Sequence, residues 1–161
     1  MSKKIRLELT YDAPLAAVQA MLADPAFRER VCEFQGVIRH DVRIEGAGAG
    51  MSVVVDQVQT ARGIPSFATK FVGDEINIVQ KETWTSAEQA RVEVTIPGKP
   101  GEMTGSVSLS EAGGTTTEIV QFEITVRIPL VGSKIEGLIG DLLSKALRAE
   151  NKVGREYLAQ A

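Results

Sequence analysis

The alternation of apolar and polar residues divides this chain into strand-like regions and one long helical region. Apolar residues occupy alternate positions in residues 4–11 and again through most of residues 36–128, which is typical of strands with one buried face. Between these regions, Pro14 and the Asp24-Pro25 pair each open a short segment with helical spacing, and Gly36 ends the second one. Short turns between successive strands favour an antiparallel meander.

Residues 63–74 interrupt the longer strands with turn-forming residues. The Gly63-Ile64-Pro65 segment ends the strand that begins at Met51, and residues 67–72 are predicted to form a short strand of their own. Gly73 and Asp74 then predict a hairpin turn. The expected order is one strand, two short helices, about six strands and one long helix.

The C-terminal segment, from Pro129 to Ala161, has the 3.6-residue spacing of an amphipathic helix. Its apolar face includes Leu138 and Leu142, and Ser133 with Glu136 forms a capping-box pattern at its start. A helix of about 26 residues is roughly 39 Å long, which is more than a lid on a small sheet requires. We therefore expect the sheet to curl around this helix and to enclose a cavity.

The composition excludes several classes of function. A length of 161 residues fits one domain, so residues 1–161 are predicted to form a single unit. The net charge is −3 and no basic cluster is present, which argues against a nucleic-acid partner. No run of about 18 apolar residues occurs, so no membrane-spanning helix is expected. Cys32 is the only cysteine, which excludes an intrachain disulfide and fits a cytoplasmic location.

The order of elements resembles the START-like superfamily, which is also called the helix-grip or SRPBCC clan. The resemblance covers nearly the whole chain and begins with the segment Tyr11-Asp12-Ala13-Pro14, followed by Val18 and Asp24-Pro25. Further segments are similar to an uncharacterised bacterial family within the superfamily: residues 127–136, 148–150 and 155–158. The resemblance implies an α+β helix-grip fold, in which a curved antiparallel sheet of about seven strands (β-α-α-β6-α) surrounds the C-terminal helix.

The resemblance also implies a cavity between the sheet and this helix, where superfamily members bind lipids, sterols, polyketides or hormones. A minority of members are cyclases, aromatases or hydroxylase domains, and others are chaperone regulators or interaction modules. We expect this chain to bind a small hydrophobic molecule, such as a lipid, a polyketide or an isoprenoid-like compound. The alternatives are a cyclase or aromatase-type enzyme and an interaction module whose cavity is filled by its own side chains. No cofactor or metal is expected, because one histidine and one cysteine form neither a histidine-rich nor a thiolate zinc site.

Polar residues on the inner faces of the strands are the candidate ligand contacts. Gln80 and Glu82 share a face with Trp84, and a buried polar side chain is costly unless it is paired. A cavity explains their position, but so does a slipped register or a bulge. If Glu82 faces a dry cavity, its pKa is expected to rise, which would make it an acid. His40, the only histidine, is either a hydrogen-bonded residue near a strand end or a polar anchor or general base.

Aromatic and aliphatic residues complete the expected site. Trp84, the only tryptophan, is more typical of core or rim packing than of a stacking platform. Aromatic residues make up 5% of the chain, and no acid/base pair is evident, so binding is favoured over catalysis and no catalytic residue is assigned. The expected ligand contacts are His40, Gln57, Phe71, Gln80, Glu82, Trp84, Phe122, Leu138 and Leu142.

Overall fold

The computed structural model describes residues 2–160, which form one seven-stranded sheet and four helices. The strands are β1 (Ser2–Tyr11), β2 (Arg39–Glu45), β3 (Ser52–Thr60), β4 (Glu75–Trp84), β5 (Gln89–Thr95), β6 (Glu102–Ala112) and β7 (Thr115–Thr125). The helices are α1 (Leu15–Leu22), α2 (Pro25–Phe34), α3 (Ser66–Val72) and α4 (Gly132–Gln160). The predicted α+β helix-grip class is confirmed.

The sheet is antiparallel and its spatial order is β1-β7-β6-β5-β4-β3-β2. Each strand from β2 to β6 pairs with the next one along the chain, as the short turns predict, whereas β1 pairs with β7. Ile5 lies opposite Phe122 and Leu7 lies opposite Val120. Because opposite residues of an antiparallel pair share a face, the apolar side chains of β1 extend the inner surface of β7.

Helix α4 packs against β1, β7, α1 and α2. It has 29 residues and is therefore roughly 44 Å long. Two glycines allow the helix to approach its neighbours closely. A Cβ atom at Gly140 would lie 3.3 Å from Ile5 Cγ2, and one at Gly154 would lie 2.8 Å from Tyr11 Cε1. None of the helices within residues 2–160 combines the length and the apolar composition that crossing a membrane requires.

The segment predicted to be a short strand is helix α3. Ala68 and Phe71 lie three residues apart and so face the same side of this helix. Gly73 has a φ of +79° and donates its N–H to the Thr69 carbonyl at 2.8 Å, which is typical of a glycine that ends a helix. The predicted strand and the predicted hairpin turn at Gly73 are therefore wrong. Seven residues are too few for a period of 2 to be distinguished from one of 3.6.

The start of α4 also differs from the predicted capping box. The helix begins at Gly132, so Ser133 lies inside the first turn. Oε2 of Glu136 accepts a hydrogen bond from the Val126 N–H at 2.8 Å. Glu136 is buried, and its carboxylate therefore joins α4 to the segment that follows β7 instead of capping its own helix.

Candidate functional site

A cavity of about 510 Å³ lies between α4 and the inner face of the sheet. Its wall is mostly aliphatic, because alternate residues of β3 to β7 and one face of α4 point into it. The aliphatic wall includes Val55, Ile78, Val92, Val94, Val120 and Ile139. This volume falls within the range of small-molecule sites, which is roughly 300–1,000 Å³.

The mouth of the cavity is marked by lining residues that are also exposed. They include Leu142, which is 45% exposed, and the cationic residues Arg62, Lys99 and Lys145. The mouth is therefore basic, although the chain as a whole carries a net charge of −3.

Most of the predicted ligand contacts meet around this one void. The cavity is lined by Gln57, Phe71, Gln80, Glu82, Trp84, Phe122, Leu138 and Leu142. His40 is not among the lining residues: it is half-buried on the edge strand β2, opposite Gln57. Ligand contact at each of these nine positions stays a prediction.

A cluster of four charged residues forms one part of the cavity wall, and we call it the polar end: the buried Arg28, Glu82 and Glu118 and the half-buried Glu150. The Nη1 and Nη2 groups of Arg28 donate to the two oxygens of Glu82 at 2.7 and 3.0 Å, and Arg28 Nε donates to the Leu22 carbonyl at 3.0 Å. Arg28 is 3% exposed and Glu82 is 5% exposed. This bidentate pair joins helix α2 to strand β4.

The remaining hydrogen-bonding capacity of Glu82 is also used. Gln80 Nε2 donates to its Oε2 at 2.7 Å and Trp84 Nε1 donates to its Oε1 at 3.0 Å. Glu82 lies opposite Val53 in β3 and Val92 in β5, and all three residues are buried. A regular register with an inward-facing Glu82 rules out the slipped register and the bulge.

Glu82 is held in its ionised form, so its predicted role as an acid is wrong. Burial alone would raise its pKa, but the Arg28 charge and the hydrogen bonds from Arg28, Trp84 and Gln80 bring the pKa of Glu82 below its ordinary value. Burial also opposes the charge of Arg28, yet the carboxylates of Glu82 and Glu150 raise the pKa of Arg28 overall. Both members of the pair are therefore charged.

Glu118 and Glu150 receive much less compensation for their burial. Oε2 of Glu150 lies 4.0 Å from Arg28 Nη1, which is beyond hydrogen-bonding distance. Glu118 is 3% exposed and lines the cavity. The Tyr11 hydroxyl faces Glu118 but completes no hydrogen bond within residues 2–160. The Glu118 carboxyl group thus lies beside the void with the Tyr11 hydroxyl as its polar neighbour and without a cation that pairs with it directly.

This arrangement keeps a proton at the polar end. Burial, and then the charges of Glu150 and Glu82, raise the pKa of Glu118 to about 8. Burial likewise raises the pKa of Glu150, although Arg28 offsets part of the effect. At neutral pH the polar end therefore presents a protonated carboxyl group to the cavity, and this group can donate a hydrogen bond or a proton. Within the described residues, no three His, Cys, Asp or Glu side chains are placed to hold a metal ion.

Comparison with known sequences identifies the family. The family described as "Protein of unknown function (DUF2505)" matches residues 6–158. The chain belongs to the DUF2505 family. This DUF2505 protein is also similar to an uncharacterized protein of Mycobacterium tuberculosis (strain ATCC 25618 / H37Rv), with 29% identity over 114 residues. That match spans 66% of this chain and 65% of the relative's length.

Solved structures share the fold of this DUF2505 protein. The Zhui aromatase/cyclase from Streptomyces sp. R1128 aligns over 99% of this chain and 95% of its own, with a TM-score of 0.70 and 13% identity. Norcoclaurine synthase from Thalictrum flavum, in complex with dopamine and hydroxybenzaldehyde, aligns over 97% and 88%, with a TM-score of 0.62 and 17% identity. At these identities the likeness establishes the START-like fold, as the sequence resemblance implied, and nothing further.

Sequence reasoning missed three of the four residues of the polar end in this DUF2505 protein. Glu118 carried a signal that could have been used: it alternates with Thr116, Val120 and Phe122 on the inner face of β7, just as Glu82 alternates with apolar residues in β4. Arg28 carried no such signal, because its partner Glu82 is 54 residues away in the sequence.

Proposed function

We propose that this DUF2505 protein binds a small hydrophobic molecule, such as a lipid, a polyketide or an isoprenoid-like compound, in the cavity between the sheet and α4. The observation that supports this proposal is a void of about 510 Å³ with an aliphatic wall and a buried polar end. An apolar body with a few polar anchor points is the usual design of a small-molecule site.

The aliphatic wall supplies a large part of the driving force for binding. A ligand that removes about 300 Å² of its apolar surface from water gains roughly 7 kcal/mol, from which the entropic cost of association must be subtracted. Because a Kd of about 1 μM corresponds to about 8.2 kcal/mol, micromolar affinity requires a larger apolar contact area or polar contacts in addition. The solved norcoclaurine synthase structure holds dopamine and hydroxybenzaldehyde, which supports the idea that this fold can accommodate small organic molecules.

A cyclase or aromatase-type enzyme is the second candidate, and one observation favours it. Glu118 is a protonated carboxyl group beside the void, with its pKa raised by burial to about 8. General acids operate best when their pKa lies near the working pH. In such an enzyme Glu118 would act as the general acid. Glu82 is ionised and its oxygens already accept hydrogen bonds, and His40 does not line the cavity. An interaction module with a filled cavity is disfavoured by the volume of the void.

Native mass spectrometry of the purified protein tests the binding proposal. We expect adducts of small molecules that disappear after denaturation and extraction with organic solvent. The extracted protein should then bind the neutral apolar dye N-phenyl-1-naphthylamine with micromolar affinity. Trp84 lines the cavity and is the only tryptophan, so its emission should be quenched in proportion to occupancy. A protein without adducts that binds no dye would contradict the proposal.

A further inference from the structure

The polar end contains more negative than positive charge. It holds the carboxyl groups of Glu82, Glu118 and Glu150 and a single cation, Arg28. Arg28 is committed to Glu82 by two hydrogen bonds and approaches Glu150 only to 4.0 Å. The polar end therefore carries two uncompensated negative charges when all three carboxyl groups are ionised.

Glu118 is the carboxyl group with which an incoming cation could pair. It is 3% exposed, it lines the void, and it shares its face of β7 with the wall residues Val120 and Phe122. The Tyr11 hydroxyl faces it from β1 and is itself fully buried without a hydrogen-bond partner in residues 2–160. Tyr11 does not line the void, whereas Glu118 does. A carboxyl group buried beside an empty cavity without a full set of hydrogen bonds is unfavourable, and a ligand group in the void would supply the missing partner.

We propose that the polar end is a subsite for a cationic head group, namely a protonated amine on an otherwise apolar molecule, and that this amine pairs with Glu118. The inference rests on the proposed function, because the apolar part of the ligand would occupy the aliphatic cavity. The charged and titratable groups that face Glu118 are Glu82, Glu150, Arg28 and Tyr11. Arg28 opposes a second cation, but its charge is already offset by the Glu82 carboxylate, which accepts two hydrogen bonds from it.

The charges of the cavity also fix the orientation and the polarity of the ligand. Arg62, Lys99 and Lys145 at the mouth repel an ammonium group, so the amine is stable at the polar end with its apolar chain directed away from it. A carboxylate head group gains little from Arg28, whose charge Glu82 already offsets. Above pH 8 it would also meet the ionised Glu118 carboxylate, and like charges in a buried site are strongly unfavourable. The site therefore discriminates between ligands by the charge of the head group.

Binding of an ammonium group requires Glu118 to lose its proton. At pH 7 the Glu118 carboxyl group is protonated, because its pKa is raised to about 8, whereas an alkylamine keeps its proton below about pH 10. Formation of the pair therefore releases close to one proton per ligand at pH 7 and almost none above pH 9. Amine affinity should rise about tenfold from pH 7 to pH 9, since this is the increase in the ionised fraction of Glu118.

Three ligands with the same chain separate head-group recognition from simple apolar binding: decylamine, 1-decanol and decanoate. Each would be titrated by calorimetry into the solvent-extracted protein at pH 7, 8 and 9, in two buffers with different ionisation enthalpies, so that proton release is measured directly. The variants are Glu118→Gln, Glu150→Gln as a second change at the polar end, and Glu123→Gln, whose carboxylate is exposed on the same strand, as the matched control.

In the wild type and in Glu123→Gln, we expect decylamine to bind at least tenfold more tightly than decanol at pH 8, and decanoate to bind more weakly than both. Glu118→Gln should bring decylamine and decanol within about threefold of each other and abolish proton release, and Glu150→Gln should reduce the preference for the amine. Equal affinities for the amine and the alcohol, or amine binding without proton release at pH 7, would overturn the amine subsite and leave the proposed function intact. Failure of all three ligands and of the apolar dye to bind would overturn both proposals.

Discussion

The substitution Glu118→Gln is predicted to stabilise the protein, and by more at high pH than at low pH. The folded state raises the pKa of the Glu118 carboxyl group from 4.5 to about 8 through burial and the charges of Glu150 and Glu82. Between pH 4.5 and pH 8 the folded state binds a proton that the unfolded state has lost, so the free energy of unfolding falls as the pH rises. Below pH 4.5 the Glu118 carboxyl group is protonated in both states and does not change the free energy of unfolding. Above pH 8 it is ionised in both states, and the full destabilisation is reached.

The magnitude follows from the size of the pKa shift. Each pH unit in this window lowers the free energy of unfolding by about 1.4 kcal/mol, which amounts to roughly 3 kcal/mol at pH 7 and roughly 5 kcal/mol at pH 9. Removing the carboxyl group removes this cost. We therefore expect Glu118→Gln to raise the melting temperature at pH 7 by about 6–12 °C, since 1 kcal/mol corresponds to 2–4 °C for a protein of this size.

The assay is urea unfolding followed by circular dichroism at pH 5, 6, 7 and 8. The difference in unfolding free energy between the variant and the wild type gives the contribution of Glu118 together with its effect on the titration of Glu150, because the more distant titrating groups are common to both. Glu123→Gln serves as the control and should change stability by less than about 0.5 kcal/mol at every pH. Parallel curves for the wild type and Glu118→Gln would refute the claim that the folded protein protonates Glu118.

Three further predictions concern the packing of the molecule. A Cβ at Gly137 would have no atom within 4 Å, whereas one at Gly154 would lie 2.8 Å from a tyrosine ring. Gly137→Ala should therefore stabilise the protein by about 1 kcal/mol, and Gly154→Ala should destabilise it. Melting-temperature shifts of the same sign for both variants, measured by calorimetry, would contradict this prediction. Arg28→Met should lower the free energy of unfolding by about 3–5 kcal/mol in a urea melt, because it leaves the Glu82 carboxylate unpaired. The double variant Arg28→Met/Glu82→Gln should recover much of this loss. If the effects of the two single substitutions simply add, the two side chains do not stabilise the protein as a pair. Burial raises the pKa of Cys32 to about 11, so iodoacetamide at pH 8 should alkylate it only after unfolding; rapid alkylation of the native protein would contradict its burial.

The fold could be predicted from the sequence wherever an element was long enough to show its period. Strand β7 has 11 residues and α4 has 29, and in both the apolar residues repeat several times. The exception was α3, whose seven residues fit a short strand as well as a helix. Gly73 ends this helix, whereas Gly73 with Asp74 in the sequence alone is equally typical of a hairpin turn.

The position of Glu82 could also be predicted, but its chemistry could not. Glu82 lies two residues before Trp84 in the strand, which predicts that both side chains point to the inner face, and both line the cavity. The direction of its pKa depends on Arg28, which approaches from another element and reverses the effect of burial. A local pattern shows which face a side chain occupies, whereas its protonation depends on neighbours that only the tertiary fold brings together.

The void between the sheet and α4 is the proposed binding site for an apolar molecule. Adjacent valines on β3 provide a matched test: Val55 is buried and lines the cavity, whereas Val54 points to the other face of the sheet. Phenylalanine at position 55 can extend into the void, which reduces the space for a ligand without overpacking a filled core.

The decisive measurement is a titration of N-phenyl-1-naphthylamine into the solvent-extracted wild type and into the variants Val55→Phe and Val54→Phe, after circular dichroism has shown that all three are folded. We predict that the wild type and Val54→Phe bind the dye with the same micromolar Kd and that Val55→Phe binds it at least tenfold more weakly. Equal Kd values for all three proteins would show that the dye binds elsewhere and would contradict the account.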